Sequence, residues 1–334
     1  MQTEFETERL SSLIAGFAGK RILAIGDLML DEFIWGRVSR ISPEAPVPVV
    51  NVTGESYYPG GAANVARNVR ELTACTAVMG LVGADAHGGR LTELLETAGI
   101  DTAGVQQAPQ FSTTVKTRII ARHQQVVRVD REHRTALTGE QMERAKRYLD
   151  GAIGGLDGII VADYGKGFLS QPLADYICEC ARTHGKILAV DPHPHTSLVW
   201  KGATAIKPNR AEAFLMAGML PSDPVLPVLS DGALIEAATR LQQMWHTGSL
   251  LITLGEHGML LLDGEGEPYH TPTRAKDVFD VSGAGDTAIS VFTLSLCAGA
   301  SPAEAAELAN RASGIVVGKL GTATASVAEL VAAL

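Results

Sequence analysis

Short apolar runs alternate along the chain with segments whose apolar residues recur at helical spacing. The runs are typical of buried parallel strands and lie at 21–30, 76–83, 157–165, 186–192, 203–209 and 249–258. The main helical patterns lie at 64–72, 88–99, 139–152, 173–185 and 231–247. This alternation predicts an α/β fold, a doubly wound and mostly parallel sheet with helices on both faces. In such sheets, ligands bind beyond the carboxyl ends of the strands.

Two segments, 31–53 and 111–130, break this alternation because both have strand-like patterns with no helix between their halves. We predict that they form antiparallel strands of a small β-sheet lid, outside the main sheet and over its strand ends. Excursions of this kind usually carry function rather than fold.

The first lid segment contains three prolines within six residues: Pro43, Pro46 and Pro48. We predict a lid strand in which these prolines interrupt the row of backbone donors, so that the free edge does not pair indiscriminately. Pro46 and Pro48 would share one face, with Val47 and Val49 on the other. The valines would pack against the lid of a second subunit, which predicts a homodimer.

The composition is that of a well-buried α/β enzyme, since 46% of the 334 residues are hydrophobic and 19% are charged. The net charge of -9 disfavours nucleic acid as a partner. The N-terminus lacks an apolar signal core, and no apolar run approaches the ~18 residues that a membrane span needs. We therefore expect a cytoplasmic protein without membrane association, with its four cysteines reduced.

The sharpest local signal is at residues 280–296, which read DVSGAGDTAISVFTLSL. A helical pattern follows Asp286, and the preceding Gly283, Ala284 and Gly285 carry no bulky side chain, so their amides can approach an anion at a helix N-terminus. Asp286 is therefore a candidate general base that takes the proton from an attacking hydroxyl while these amides stabilise a transferred phosphoryl group. The alternative is that Asp286 only caps the helix.

A glycine pair precedes a helix start at residues 57–69, which read YYPGGAANVARNV. Gly60 and Gly61 let a polar ligand lie against the backbone, and Asn64 offers a donor and an acceptor to hydroxyl groups. This segment is a candidate sugar site, although a glycine pair before a helix is common.

Two later segments are suited to a nucleotide. TLGEHG at 253–258 is a strand end followed by a glycine turn that can contact a phosphate. KPNRAE at 207–212 includes Asn209 and Glu212, which can hold water or Mg²⁺ near the phosphates. The sequence contains no GxxxxGK[ST] motif, which excludes a P-loop enzyme.

PGGAANVA and DVSGAGDT together resemble the two signatures of the ribokinase-like (PfkB) carbohydrate kinases, with KPNRAE and TLGEHG between them in that family's order. The resemblance covers residues 20–330 and implies a ribokinase-like kinase domain, preceded by an N-terminal extension at 1–19. It implies ATP and Mg²⁺ as cofactors, Asp286 as the catalytic base, and the amides of Gly283, Ala284 and Gly285 as an anion hole.

The same resemblance implies further site residues. The sugar site would contain Asp27, Asp31, Gly60, Gly61, Asn64 and Asp191. The ATP site would contain Lys166, Asn209, Glu212, Thr253, Gly255, Gly258, Asn310 and Ser313. A monovalent cation, K⁺, would lie near the anion hole at Asp280, Ser282, Gly321 and Ser326.

Four segments resemble, more narrowly, the kinases of D-glycero-β-D-manno-heptose 7-phosphate in bacterial lipopolysaccharide synthesis: GDLMLDEFIWG, SRISPEAPVPVV, ARHQQVVRVD and ADYGKG. Those enzymes phosphorylate the anomeric hydroxyl to give the 1,7-bisphosphate. A sugar that already carries phosphate needs cations, and the lid segments contain Arg37, Arg40, Lys116, Arg118, Arg122 and Arg128. We predict Lys116, Arg118 and Arg128 as substrate ligands; the alternative is that they are solvated charges on the outer face.

Two features depart from the resemblance. His193 and His195 stand where such kinases commonly have lysine or glycine, and the chain ends soon after the kinase pattern, whereas the family often carries a fused nucleotidyltransferase domain. We therefore expect a stand-alone kinase. The alternatives are a kinase of ribose, fructose or a fructose phosphate, and a catalytically silent sugar or nucleotide sensor, which the retained Asp286 disfavours.

Overall fold

The computed structural model describes residues 5–122, 124–264, 266–275 and 277–334. Residues 1–4 of the predicted N-terminal extension and His123 of the second predicted lid segment lie outside the described residues. The strands are β1 (Arg21–Gly26), β2 (Leu28–Ile41), β3 (Pro48–Gly61), β4 (Cys75–Gly83), β5 (Asp101–Ala108), β6 (Thr114–Ala121), β7 (Gln124–Arg131), β8 (Gly158–Ala162), β9 (Ile187–Asp191), β10 (Ala205–Ile206), β11 (Ser249–Thr253), β12 (Met259–Asp263) and β13 (Tyr269–Thr271). The α-helices are α1 (Thr7–Ala15), α2 (Ala62–Arg70), α3 (Ala86–Thr97), α4 (Gly139–Ala152), α5 (Gln171–Thr183), α6 (Arg210–Met216), α7 (Gly232–Trp245), α8 (Ala284–Cys297), α9 (Pro302–Val317) and α10 (Val327–Ala332).

The larger sheet has nine strands in the order β13-β12-β11-β10-β9-β8-β1-β4-β5. Its pairs from β11 to β5 are parallel, whereas β12 and β13 are added as antiparallel strands at one edge. The predicted doubly wound α/β fold is confirmed. The apolar runs do not predict β5, because this edge strand mixes exposed and buried positions, and the predicted run at 203–209 contributes only the two residues of β10.

Alternate residues of β1 face two different helical layers. Ile22 and Ala24 pack in a core with residues of α1, α2, α8 and α9, whereas Leu23 and Ile25 pack in a second core with residues of α4, α5 and α7. Complete burial of an isoleucine or leucine side chain contributes about 1.5–3 kcal/mol to the free energy of unfolding. Because both faces of the strand are covered, its sequence reads as a continuous apolar run rather than an alternation.

The predicted N-terminal extension forms α1, whose Leu10, Leu13 and Ile14 are buried in the first of these cores. This segment is therefore packed as part of the main body. Within the described residues, no helix is both long and apolar enough to cross a membrane.

The predicted strand at 21–30 is two strands in two different sheets. β1 ends at Gly26 in the main sheet, and β2 begins at Leu28 in the smaller sheet. Asp27 lies between them, at the carboxyl end of β1.

The smaller sheet is the predicted lid, with four strands in the order β3-β2-β6-β7. β2 and β3 pair antiparallel, as do β6 and β7, while the central pair of β2 and β6 is parallel. The first lid segment is longer at both ends than the predicted 31–53, because β2 begins at Leu28 and β3 ends at Gly61, next to the start of α2. The second segment lies close to the predicted 111–130, since β6 begins at Thr114 and β7 ends at Arg131.

The predicted strand over the three prolines is wrong for most of its length. Residues 42–47 form the connection between β2 and β3, closed by a hydrogen bond from the Ser42 amide to the Val47 carbonyl (2.8 Å), and only Pro48 lies in a strand. Proline fixes its own backbone angle and cannot donate to a sheet ladder, so it suits a turn better than a paired strand. Pro46 and Val47 therefore have no strand face, and the predicted packing of Val47 through such a face is wrong.

Candidate active site

A cavity of about 890 Å³ lies between the lid and the carboxyl ends of the main strands. The lid lines it with Met29, Asp31, Lys116 and Arg118. The main domain lines it with Asp191, Lys207, Thr253 and the first residues of α8, among others. The cavity is where the topology of an α/β sheet places a ligand.

Asp286 lies in the first turn of α8 and is buried, with 8% of its surface exposed. Its Oδ2 accepts a hydrogen bond from Asn64 Nδ2 and its Oδ1 accepts one from the Tyr164 hydroxyl, each at 2.6 Å. Burial raises the pKa of Asp286, while the two donors and the Lys207 ammonium limit the rise. The helix cap is Gly283, not Asp286, so the alternative that Asp286 only caps the helix is wrong.

Tyr164 is a site residue that the sequence reasoning missed, although ADYGKG was among the motifs it singled out. The Tyr164 hydroxyl lines the cavity wall beside Asp286, and burial together with the neighbouring carboxylates raises the pKa of this phenol well above its usual value. The side chain is therefore a neutral hydrogen-bond donor to Asp286.

Asp27 was predicted at the sugar, and the structure gives it a different task. Its carboxylate accepts backbone hydrogen bonds from Tyr164 and Lys166 (both 3.0 Å) and from Phe168 (3.1 Å). Asp27 is buried and does not line the cavity. Its carboxylate holds the loop that carries Tyr164, and contact of Asp27 with the sugar stays a prediction.

The run Gly283–Gly285 lies at the N-terminus of α8 and lines the cavity. The Ala284 amide donates to the Val281 carbonyl at 3.3 Å, whereas the Gly283 and Gly285 amides have no acceptor within the described part of the chain. Two of the three predicted anion-hole amides are therefore free. Asn64, 1% exposed, also lines the cavity, and its Oδ1 has no hydrogen-bond partner among the described residues.

Lys207 is the second residue that the sequence reasoning missed, although it begins the KPNRAE motif. It is 5% exposed, and its Nζ lies 3.0 Å from Oδ2 of Asp191, a predicted sugar residue. Burial raises the pKa of Asp191, and the Lys207 ammonium opposes that rise. Burial alone would lower the pKa of Lys207, but Asp191, Glu212 and Asp286 outweigh this effect, so its pKa is raised and the side chain stays an ammonium.

Asp31 lies at the lid side of the cavity and is 5% exposed. It forms an ion pair with Arg118 on the neighbouring strand β6. Gly60 makes room for this pair, because a Cβ at that position would lie 2.5 Å from Oδ2 of Asp31. Gly61, at the N-terminus of α2, lines the cavity itself.

Of the other predicted lid cations, the structure brings Lys116 into the cavity wall and leaves Arg128 outside it. Lys116 has no ion-pair partner within the described residues. Arg128 lies on the exposed strand β7 and pairs with Asp130 at 2.9 Å. In this structure, Arg128 is one of the solvated lid charges.

Seven of the eight predicted ATP residues line the cavity: Asn209, Glu212, Thr253, Gly255, Gly258, Asn310 and Ser313. Lys166 does not; its Nζ pairs with Glu132 at 2.6 Å, which ties the ADYGKG loop to the segment after β7. Contact of Lys166 with ATP therefore stays a prediction.

Asn209 and Glu212 form a capping box at the start of α6, in which Asn209 Oδ1 accepts from the Glu212 amide (3.0 Å) and Glu212 Oε2 accepts from the Asn209 amide (2.8 Å). Each side chain is thus fixed by the helix end while it faces the cavity.

The predicted cation residues come together only in part. Asp280 accepts backbone hydrogen bonds from Ser282 (2.9 Å) and Gly321 (3.1 Å), so it links the two loops beside the anion hole. Ser326 instead uses its hydroxyl in the capping box of α10 with Glu329. Within the described residues, no group of three or more histidine, cysteine, aspartate or glutamate side chains is arranged to hold a metal ion.

Curated proteins of similar sequence are known. A bifunctional protein HldE of Desulfatibacillum aliphaticivorans is 43% identical over 330 residues, which cover 98% of this chain and 66% of that protein. A bifunctional protein HldE of Helicobacter pylori strain J99 is 43% identical over 311 residues, which cover 93% of this chain and 65% of that protein. The chain thus spans just under two thirds of the length of these curated relatives.

Solved structures share the fold at low sequence identity. The ribokinase of Arabidopsis thaliana complexed with ribose and ATP has a TM-score of 0.69 and 16% identity, covering 93% of this chain and 98% of that one. Phosphofructokinase-2 of Escherichia coli in complex with potassium has a TM-score of 0.73 and 19% identity, covering 93% and 96%. The family description "pfkB family carbohydrate kinase" matches residues 20–329 of this chain. With its ribokinase-like fold and its cavity between lid and strand ends, the chain belongs to the pfkB family of carbohydrate kinases.

Proposed function

We propose that this protein transfers the γ-phosphoryl group of ATP to the anomeric hydroxyl of D-glycero-β-D-manno-heptose 7-phosphate. The observation that carries the proposal is the position of Asp286, a buried carboxylate in the cavity, beside the free amides of Gly283 and Gly285. The HldE relatives and the lid motifs support a heptose phosphate as the acceptor. The use of ATP as the donor is consistent with the cytoplasmic location that we expect for this protein from its sequence.

In the proposed reaction, the anomeric oxygen attacks the γ-phosphorus and forms a new P–O bond. The bond from the γ-phosphorus to the β,γ-bridging oxygen breaks, and its electron pair stays on ADP. Asp286 accepts the proton of the attacking hydroxyl, and the Gly283 and Gly285 amides stabilise negative charge on the transferred group.

Two groups in this cavity support a phosphorylated sugar, one through the sugar hydroxyls and the other through the phosphate. The unpartnered Asn64 Oδ1 can accept a hydrogen bond from a sugar hydroxyl, which would remove the cost of leaving it buried without a partner. Lys116 offers an ammonium without an ion-pair partner among the described residues, and we assign it to the 7-phosphate. Arg118 is less available because Asp31 already pairs with it.

The residues present fit Mg²⁺ bound through the nucleotide. Glu212 uses Oε2 in its capping box, which leaves Oε1 for the ion or its water shell, and Mg²⁺ usually keeps several waters and few protein ligands. When bound, Mg²⁺ would supply charge neutralisation on the phosphates. A monovalent cation such as K⁺ would lie in the loops joined by Asp280; the potassium complex of phosphofructokinase-2 is consistent with this.

We also propose a homodimer through the lid. Val127 and Val129 lie opposite Ile119 and Thr117 in the lid sheet, so they share the face that points away from Lys116 and the cavity. Their side chains are 45% and 44% exposed, which is high for valine. Light scattering at micromolar concentration should give the mass of two chains, and Val127→Lys should give one; a monomeric parent protein would refute the dimer.

The deciding experiment for the function is a coupled ADP-release assay with a panel of sugars. We expect heptose 7-phosphate to be preferred over ribose, fructose and fructose 6-phosphate. A clear preference for one of these other sugars would keep the chemistry and overturn the substrate. Sugar binding without turnover at saturating ATP and Mg²⁺ would indicate a sensor.

A further inference from the structure

We infer that Lys207 binds the γ-phosphoryl group of the nucleotide, with Asp191 holding its ammonium in place. This assignment rests on the proposed phosphoryl transfer and adds a residue to it. The supporting observations are the burial of Lys207, its spare donors, and its position against the first turn of α8.

A buried lysine requires partners, because an ammonium that leaves water without compensation is strongly disfavoured. Lys207 is 5% exposed, and Asp191 Oδ2 at 3.0 Å is its only ion-pair partner within the described part of the chain. An ammonium carries three N–H donors, so two of them remain for other acceptors. Lys207 lines the cavity, so a ligand there can supply those acceptors.

The location of Lys207 indicates which kind of ligand it binds. A Cβ built on Gly285 would lie 3.2 Å from Lys207 Nζ, so the ammonium sits directly against the backbone whose amide is free. The helix N-terminus and the ammonium thus present positive charge to the same point. An anion between them would also lie near Asp286, the proposed base.

The surrounding carboxylates explain why a cation is needed here. Asp191, Glu212 and Asp286 all face Lys207, and a triphosphate entering this end of the cavity adds further negative charge. A lysine is a compact charge suited to phosphate oxygens, and transition-state charge in phosphoryl transfer is spread over the equatorial oxygens. The competing explanation is a buried ion pair that only stabilises the fold.

The test compares the binding of ADP with that of a non-hydrolysable ATP analogue, AMP-PNP, by titration calorimetry, so it requires neither a sugar nor turnover. In Lys207→Met we expect AMP-PNP to bind at least about tenfold more weakly, while ADP changes by less than about threefold. Lys207→Arg should recover part of the difference. Lys201→Met, on the exposed surface, is the matched control and should leave both affinities unchanged.

Removal of Lys207 leaves Asp191 buried without its partner, so Lys207→Met alone risks misfolding. The double variant Lys207→Met with Asp191→Asn removes both charges and should fold while showing the same selective loss of AMP-PNP binding. Equal changes for ADP and AMP-PNP, or no change for either in the folded double variant, would overturn the role of Lys207. A parent protein that binds AMP-PNP selectively through Lys207 but phosphorylates no sugar would instead refute only the proposed function.

Discussion

The Tyr164 hydroxyl donates to Oδ1 of Asp286 across 2.6 Å, from a loop whose backbone is held by Asp27. The proposed base is therefore oriented by a neutral donor from the loop after β8, in addition to Asn64 from α2.

Tyr164→Phe should move the acid limb of the kcat profile to higher pH. Asp286 must be ionised to accept a proton, so activity falls as pH drops through its pKa. The Tyr164 donor lowers that pKa against the effect of burial, so its loss would raise the pKa of Asp286 further.

The matched control for this variant is Tyr176→Phe, which removes the same kind of phenol-to-carboxylate bond, to Asp150, on an exposed surface. Its pH profile should coincide with that of the parent protein. An unchanged acid limb in Tyr164→Phe would show that Tyr164 only fills space.

Asp286→Asn should lower kcat by about 10²- to 10⁴-fold while ADP affinity stays the same, since the variant keeps the shape and loses the base. Burial raises the pKa of Asp286 above its value in the unfolded chain. At any pH above that unfolded-chain value, the ionised carboxylate therefore lowers the free energy of unfolding. The variant should therefore have a higher Tm at neutral pH, and this gain should vanish as the pH is lowered. Near-normal turnover would remove Asp286 from its proposed role.

Gly60→Ala should impair the sugar site selectively. The new Cβ would meet Asp31 Oδ2 at 2.5 Å and displace the Asp31–Arg118 pair, so kcat/KM for the sugar should fall by about ten- to a hundredfold. Gly54→Ala on the same strand, where a Cβ meets nothing within 4 Å, is the control. If Gly60→Ala and Gly54→Ala gave the same kcat/KM for the sugar, the reaction would not depend on the position of Asp31.

Lys116→Met should raise KM for a sugar phosphate by about ten- to a hundredfold and leave the KM for ATP unchanged. Arg128→Met is the control, because Arg128 lies on an exposed strand in a pair with Asp130, and exposed ion pairs contribute little. Initial-rate kinetics with both substrates varied would measure the effect. A larger effect of Arg128 than of Lys116 would contradict the assignment of the phosphate site.

Asp27→Ala should destabilise the protein by about 3 kcal/mol or more, because three backbone amides, one buried and two partly buried, lose their acceptor. The loop it holds also carries Tyr164, so kcat should fall as well. Urea denaturation compared with the surface variant Asp150→Ala would measure the stability change. Parent-like stability in Asp27→Ala would mean that the loop is held by its other contacts.

The sequence by itself determined the alternating fold, the lid, and the presence of the Asp286 carboxylate at the start of a helix. These depend on local patterns: apolar runs where both strand faces are covered, helical spacing between them, and a run of small residues at a helix start. The turn over Pro43 and Pro46 was misjudged because the same residues suit an exposed edge strand, and only the pairing of β2 with β3 distinguishes the two.

Only the tertiary structure decided which side chains act together. Tyr164 and Asp286 are 122 residues apart, and Lys207 meets Asp191 across the ends of neighbouring strands. Asp27 and Lys166 carry charges that could bind a ligand. In this structure, however, Asp27 accepts hydrogen bonds from backbone amides, and Lys166 pairs with Glu132. Spacing along the chain indicates which groups can bind a ligand, but the partners that satisfy each buried group are fixed only when the strands and the lid are packed together.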